Sequence, residues 1–282
     1  DESALAAPLF RDRTRSARNQ ARRIHRRARQ RSRQAKDDMQ RASQRLVEVT
    51  KASVGQARTI IEHLQREVTI QVEPLVQQLE TLLPDVEQVI NQTVRRVFEG
   101  ESVPAAEKLV SLFEPHTDII RRNKAGKETE FGHKVWLDEV DGGIVTRWEI
   151  LPGNPAEESQ WRPAIVHHIQ QFGRPPNQAS ADRGLYSPDN ETYATQQGVK
   201  RVILPKPGRK SAARRQHEAQ PWFKRGRRFH AGVEGRISVL KRKHGLDRAR
   251  YHGQDGFARW VGWGVIANNL TKVGAKVATS AS

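Results

Sequence analysis

The 282 residues contain no cysteine, which excludes disulfides, thiolate metal sites and Cys₂His₂ fingers. That absence fits a reducing cytoplasm. No apolar run approaches the roughly 18 residues a membrane span needs, and no apolar signal segment opens the chain. Short catalytic signatures are missing as well. There is no G-x-x-x-x-G-K-S/T phosphate loop, no H-E-x-x-H and no G-x-S-x-G. Negative charge is in short supply, with 32 acidic residues against 49 Lys and Arg, a net charge of +17 and a pI near 10.7. Such a surface calls for a polyanionic partner, nucleic acid first and an anionic membrane surface second. A hydrophobic fraction of 36% and a mean hydropathy of −0.76 allow a modest core under much polar surface.

What is present falls into blocks. Residues 1–36 form an arginine-dense arm, with eleven arginines between Arg11 and Arg33 and almost nothing apolar. Self-repulsion predicts disorder, or a helix formed on a partner, and the sign of the charge predicts a phosphate clamp that includes Arg22 and Arg23. Residues 37–100 carry apolar residues at three- and four-residue steps, punctuated by Pro74 and Pro84. Two or three helices are expected there, packed as a hairpin or a dimer seam. Beyond Gly100 the texture changes. Residues 109–113 read as a short buried strand, and residues 121–129 as a basic loop with Arg121, Arg122, Lys124 and Lys127. Two strand-like runs, 133–140 and 144–151, flank Asp141-Gly142-Gly143, a strong hairpin signal. A helix over 156–171 carries Trp161, Ile165, Ile169 and Phe172 on one side, and a small-residue strand ends at Asp182. Ser187-Pro188 then opens a helix as N-cap and first-turn proline. A strand over 199–205, a basic connection and a final helix over 254–273, bearing Phe257, Trp260, Trp263, Ile266 and Leu270 and expected to pack on the sheet, complete the order, and residues 276–282 form a tail.

Residues 227–243, R-R-F-H-A-G-V-E-G-R-I-S-V-L-K-R-K, are the stretch the rest is organised around. As a helix they place Val233, Ile237 and Leu240 on one stripe, with His230, Glu234 and Lys241 on another face. Glu234 is the only acid among Arg227, Arg228, Arg236, Lys241, Arg242 and Lys243. Taken alone, the stretch is a solvated basic helix with one stray acid. Its setting changes the reading: a strand-and-helix order of this kind holds a mixed sheet, and an Asp at the carboxyl end of a strand lies where open α/β sheets place their sites. Asp182, Glu234 and either Glu114 or Asp118 could meet there. Carboxylates in so basic a protein call for a hard divalent cation, Mg²⁺ or Mn²⁺, and phosphodiester chemistry commonly uses two such ions. Arg227, Arg228, His230, Arg236 and Lys241 would then lie against DNA.

E-P-H-T-D-I-I-R-R, E-F-G-H-K-V-W-L, A-D-R-G-L-Y-S-P-D-N and V-E-G-R-I-S-V-L-K-R-K-H-G-L, in that order over about residues 100–275, resemble insertion-sequence transposases of the DDE class, closest to the ISNCY group. The resemblance implies a ribonuclease-H-like catalytic domain over residues 101–275, with helices on both faces of a mixed sheet. It implies metal-dependent cleavage of double-stranded DNA at transposon ends and attack of the freed 3′-OH on target DNA. Asp182 then matches the second acid, Glu234 the third, and Lys241 a lysine that touches DNA near the cut. Glu114 and Asp118 compete for the first acid, and Arg227 and His230 stand where relatives commonly have Tyr and Arg. A homodimer or larger synaptic oligomer, no membrane and a nucleoid-associated place in a bacterial cytoplasm are further expectations. Because the chain opens on Asp1, an N-terminally incomplete copy is expected. The alternatives are a non-catalytic DNA-binding relative and a structural RNA-binding protein, which explains the charge but not the spaced acids.

Overall fold

The computed structural model describes residues 10–66, 73–121 and 129–280. Two compact units divide the chain, Asp1–Thr117 and Asp118–Ser282. Among the described residues no helix is long and apolar enough to cross a membrane.

The first unit is helical. Within the arginine-rich arm, Thr14–Arg27 forms α1, which buries no residue of its own. It is tied to α2 (Arg33–Arg66) by Asp38, whose carboxylate lies 2.6 Å from Arg23 and 3.1 Å from Arg27. Hydrogen bonds from those two guanidiniums hold the Asp38 carboxyl below its ordinary pKa. α3 (Glu73–Val97) packs on α2, helped by an ion pair between Arg58 and Glu87 and a 2.8 Å bond from Gln65 to Glu80. The strand expected over 109–113 does not form. Instead the Gln92 amide takes both backbone groups of Leu109, at 2.8 and 2.9 Å, and Phe113 stands 87% exposed. A side chain has satisfied the peptide groups that a sheet neighbour would have used.

The second unit is mixed α/β. Its strands are β1 (Asp118–Arg121), β2 (Thr129–Gly132), β3 (Lys134–Val140), β4 (Ile144–Leu151), β5 (Gln178–Ser180) and β6 (Arg201–Ile203). Where one mixed sheet was expected, the described strands pair as three ladders: β1–β2 and β3–β4 antiparallel, β5–β6 parallel. Shortness is the physical reason, since β1 and β2 have four residues each and β5 and β6 three. The β3–β4 turn uses Gly142 and Gly143 at φ 86° and 79°, a left-handed conformation only glycine adopts cheaply.

Two cores follow. Trp161 and Ile165 of α4 (Trp161–Phe172) pack with Ala181, Leu185, Val199, Leu204 and Ala194 of α5 (Pro188–Gln196). The Ser187 hydroxyl caps α5 by accepting from Asn190 N–H at 3.1 Å. The buried Asn190 amide in turn donates to the carbonyls of Glu158 and Leu185, at 2.9 and 3.0 Å. Beside this core, α6 (Ala212–Ala219) is clamped by Arg214, whose guanidinium binds Glu191, Glu218 and the Leu204 carbonyl. Burial alone would raise the Glu218 pKa, but bonds from Lys210, Arg214 and the Lys206 N–H outweigh it and bring it down to about 2.

The second core joins Val145 of β4 to Leu240 of α7 (Pro221–Lys243) and to Val261 and Val265 of α8 (Gly253–Ser280). Here Asn269 of α8 reads the backbone of Val145 twice, accepting from its N–H at 2.9 Å and donating to its carbonyl at 2.8 Å. Asn269→Ala would leave both groups of a buried residue without a partner. It should cost about 1–3 kcal/mol in denaturant unfolding, whereas the exposed Thr271→Ala should stay within about 0.5 kcal/mol.

Candidate active site

The ladder β5–β6 continues one residue past the strand, with Ala181 N–H donating to the Ile203 carbonyl at 3.2 Å. Asp182 follows immediately. It caps a short 3₁₀ turn, accepting from the Arg183 N–H at 2.6 Å, and its side chain is exposed at the strand's carboxyl end. α7 lies across β5 and β6, and what lets it come so close is Gly226. A Cβ at that position would sit 2.6 Å from Ile203 Cδ1 and 3.3 Å from Gln178 Nε2. One turn further along α7, His230 is half-buried, and a second turn brings Glu234.

His230 reports on both acids. Burial pushes its pKa below the ordinary value, while the charges of Asp182 and Glu234 pull it upward and Arg236 pushes it down. The imidazole therefore lies within electrostatic reach of Asp182 on the strand end and Glu234 on the helix. Both sequence-predicted acids belong to the second unit, Asp182 just past the end of β5 and Glu234 on α7.

The candidates for a first acid stand differently. Glu114 belongs to the first unit, where its carboxylate lies 2.7 Å from His116. Asp118 opens β1 and is engaged locally, 3.1 Å from His133 and accepting from the Gly153 N–H at 3.1 Å. His133 is itself packed on Phe257, with ring centroids 4.7 Å apart. Asp118 thus ties β1 to the turn after β4. Among the described residues, no three His, Cys, Asp or Glu side chains form a group able to hold a metal ion. Asp182 and Glu234 remain a fitting pair of hard oxygen donors, since Mg²⁺ commonly takes one or two carboxylates and fills its shell with water and phosphate.

One acid was missed in the sequence. Asp138 lies on β3, accepting from the Trp136 indole at 2.7 Å and lying 3.4 Å from Arg147. Trp136 packs against the core that contains Ala181, the neighbour of Asp182, and period-two geometry puts Asp138 on the same face of β3 as Trp136. The available signal was an acid alternating with Val135 and Leu137 in a strand.

The cations divide into free and committed groups. Lys241, Arg227 and Arg228 are exposed on α7, Arg121 at the end of β1 and Arg22 on α1. Arg23 pairs with Asp38. Arg236 is turned inward, paired with the buried Glu139 and lying 5.5 Å from the Phe229 ring. Arg122, Lys124 and Lys127 lie outside the described residues.

With this geometry in place, residues 191–274 match the family model described as a transposase DDE domain. The match runs from α5 into α8 and takes in Glu234 and Lys241, and it supports a DDE-class transposase. Comparison with curated proteins and with solved structures finds no match.

Gly226 gives a sign-reversal test. Alanine favours a helix over glycine by about 1 kcal/mol, but overpacking against Ile203 costs about 1–3 kcal/mol, so Gly226→Ala should destabilise. In an Ile203→Ala background the obstructing atoms are gone, and the same change should become neutral or stabilising in denaturant titrations. His230 gives a pH test. Its folded pKa lies below the unfolded one, so its contribution to stability is present above the ordinary histidine pKa near 6.5 and lost as pH falls below it. His230→Gln should therefore flatten the dependence of the urea midpoint on pH between about 7 and 5.

Proposed function

We propose that this chain cuts double-stranded DNA at the ends of an insertion sequence and joins the freed 3′-OH to target DNA, with Asp182 and Glu234 as its cation-holding carboxylates. What supports the reading is the placement of Asp182 just past the end of β5 and of Glu234 on α7, the helix lying across that ladder, in a chain of net charge +17. The family match supports DNA as the partner and a divalent metal as the cofactor class.

Each side chain has a distinct task. Asp182 contributes one oxygen already oriented by the Arg183 N–H, leaving the other for a cation. Glu234 approaches from the helix. Mg²⁺ or Mn²⁺, as one ion or two, would supply charge stabilisation at the phosphorus and activate the attacking oxygen. His230, held toward its neutral form by burial, leaves the two carboxylates without a competing cation between them. Lys241, Arg227 and Arg228 are exposed on the same helix and would grip phosphates flanking the cut. For the first acid, Asp118 and Asp138 both belong to the second unit with Asp182 and Glu234. Asp138 is favoured by the packing of Trp136 on the core beside Asp182, and Asp118 by its place in the motif that carries the resemblance.

A second reading, a DNA-binding relative without catalysis, is favoured by one observation. No three-ligand group is assembled among the described residues.

Glu234→Gln and Asp182→Asn keep size and remove charge. Each should lower Mg²⁺-dependent cleavage of end-bearing DNA by two or more orders of magnitude while duplex binding persists. Lys241→Ala should instead weaken binding, and the salt dependence of affinity should fall by about one counterion. Glu114→Gln, Asp118→Asn and Asp138→Asn, compared in the same assay, identify the first acid. Wild-type cleavage by Glu234→Gln would leave only the DNA-binding reading.

A further inference from the structure

α8 is apolar on two opposite sides, and only one of them is used. Phe257, Val261, Val265 and Asn268 face β3–β4, and Val261, Val265 and Asn268 are buried there. On the other side Trp263, Ile266 and Leu270, expected from the sequence to lie on the sheet, stand 61, 48 and 68% exposed, with Val273 and Val277 at 52 and 64%. Their spacing is three, four, three and four residues. At 100° per residue the five side chains fall within about an 80° stripe, roughly opposite the buried face. A mean step of 3.5 residues is the repeat of a coiled-coil seam, while a helix lying on a globular core needs a broader face. The stripe is bounded by Arg259 at one end and Ser280 at the other, and Gly262, Ala267 and Gly274 flank it without bulk.

We propose that α8 pairs antiparallel with α8 of a second copy of this chain through this stripe. Each requirement of such a pair is met by residues described above. From the fractional exposures, the five side chains leave on the order of 500 Å² of apolar surface per chain, at the upper end of what a monomer normally shows. Two copies together reach about the 1,000 Å² expected of a specific interface. Size sets the direction. Parallel pairing would set Trp263 against Trp263 and bring Lys276 level with its own copy. Antiparallel pairing sets Leu270 against Val273 of the second copy and Ile266 against Val277, with Trp263 beside the small residues near Ser280. It also places the two globular bodies at opposite ends, since only the first half of α8 is packed on its own core. This pairing is independent of the catalytic reading, because none of its residues belongs to the acidic site.

The test uses the full chain in high salt, to keep polyanions from bridging copies. Sedimentation equilibrium should give twice the 32.0 kDa of one chain. Leu270→Asp with Val273→Asp should halve that mass while far-UV circular dichroism stays unchanged, since both side chains are exposed. The absence of native cysteine allows the direction to be read by disulfide trapping. Ile266→Cys mixed with Val277→Cys should give a mixed disulfide, and Trp263→Cys alone should not. A wild-type chain that stays monomeric at tens of micromolar would overturn the proposal and assign the stripe to another occupant. So would a dimer indifferent to the aspartates. Self-trapping of Trp263→Cys would overturn the antiparallel arrangement.

Discussion

The seating of α7 is the constraint on which the second unit depends. At its N-terminal half the helix touches the β5–β6 ladder through Gly226, where a Cβ would press on the Ile203 side chain. In the middle Arg236 reaches back to Glu139 on β3, and at the C-terminal end Leu240 enters the core shared with β4 and α8. These three contacts fix the helix against both ladders at once. The Glu139–Arg236 pair is an unusual choice for the middle one. Burial raises the Glu139 pKa, and Glu139 Oε1 and Arg236 Nη2 are buried without hydrogen-bond partners. A buried pair so incompletely satisfied returns little net stability. Its value lies in direction: it fixes the rotation of α7 two residues beyond Glu234.

Parts of this were legible from the sequence because they rest on local rules. The Asp-Gly-Gly turn required positive φ, and Ser187-Pro188 announced a helix start; both are found where expected. Trp161, Ile165 and Ile169 of α4 lie on its core as the spacing predicted, whereas Phe172, the last residue of the stripe and of the helix, stands 43% exposed. What was illegible is non-local. That Gln92 would satisfy Leu109 depends on how a helix and a distant loop meet. Three-residue strands carry too little alternation to say which ladders join, so a single sheet was expected where the described strands form three ladders.

For the site, the strand-end aspartate and the helical glutamate were visible as isolated acids in basic or apolar surroundings. Asp138 was hidden by its neighbours, Glu139 and Asp141, which make a short acidic cluster around a hairpin and so resemble solvated turn residues. Arg236 illustrates the opposite error of expectation. In sequence it is one more cation on a basic helix, and only the tertiary approach of β3 shows its charge already spent.

The amide of Asn269 has an effect beyond the energy of its two bonds. Val145 lies near the start of β4, in a two-stranded ladder with no third strand beside it. The unpaired backbone edge of a strand is a template on which another chain can add itself. By occupying both the donor and the acceptor of Val145, a side chain from α8 imitates the edge of a neighbouring strand and closes the position to further growth. The helix therefore protects the protein against uncontrolled sheet extension, a safeguard of some importance in a chain whose ladders are too few and too short to close on themselves.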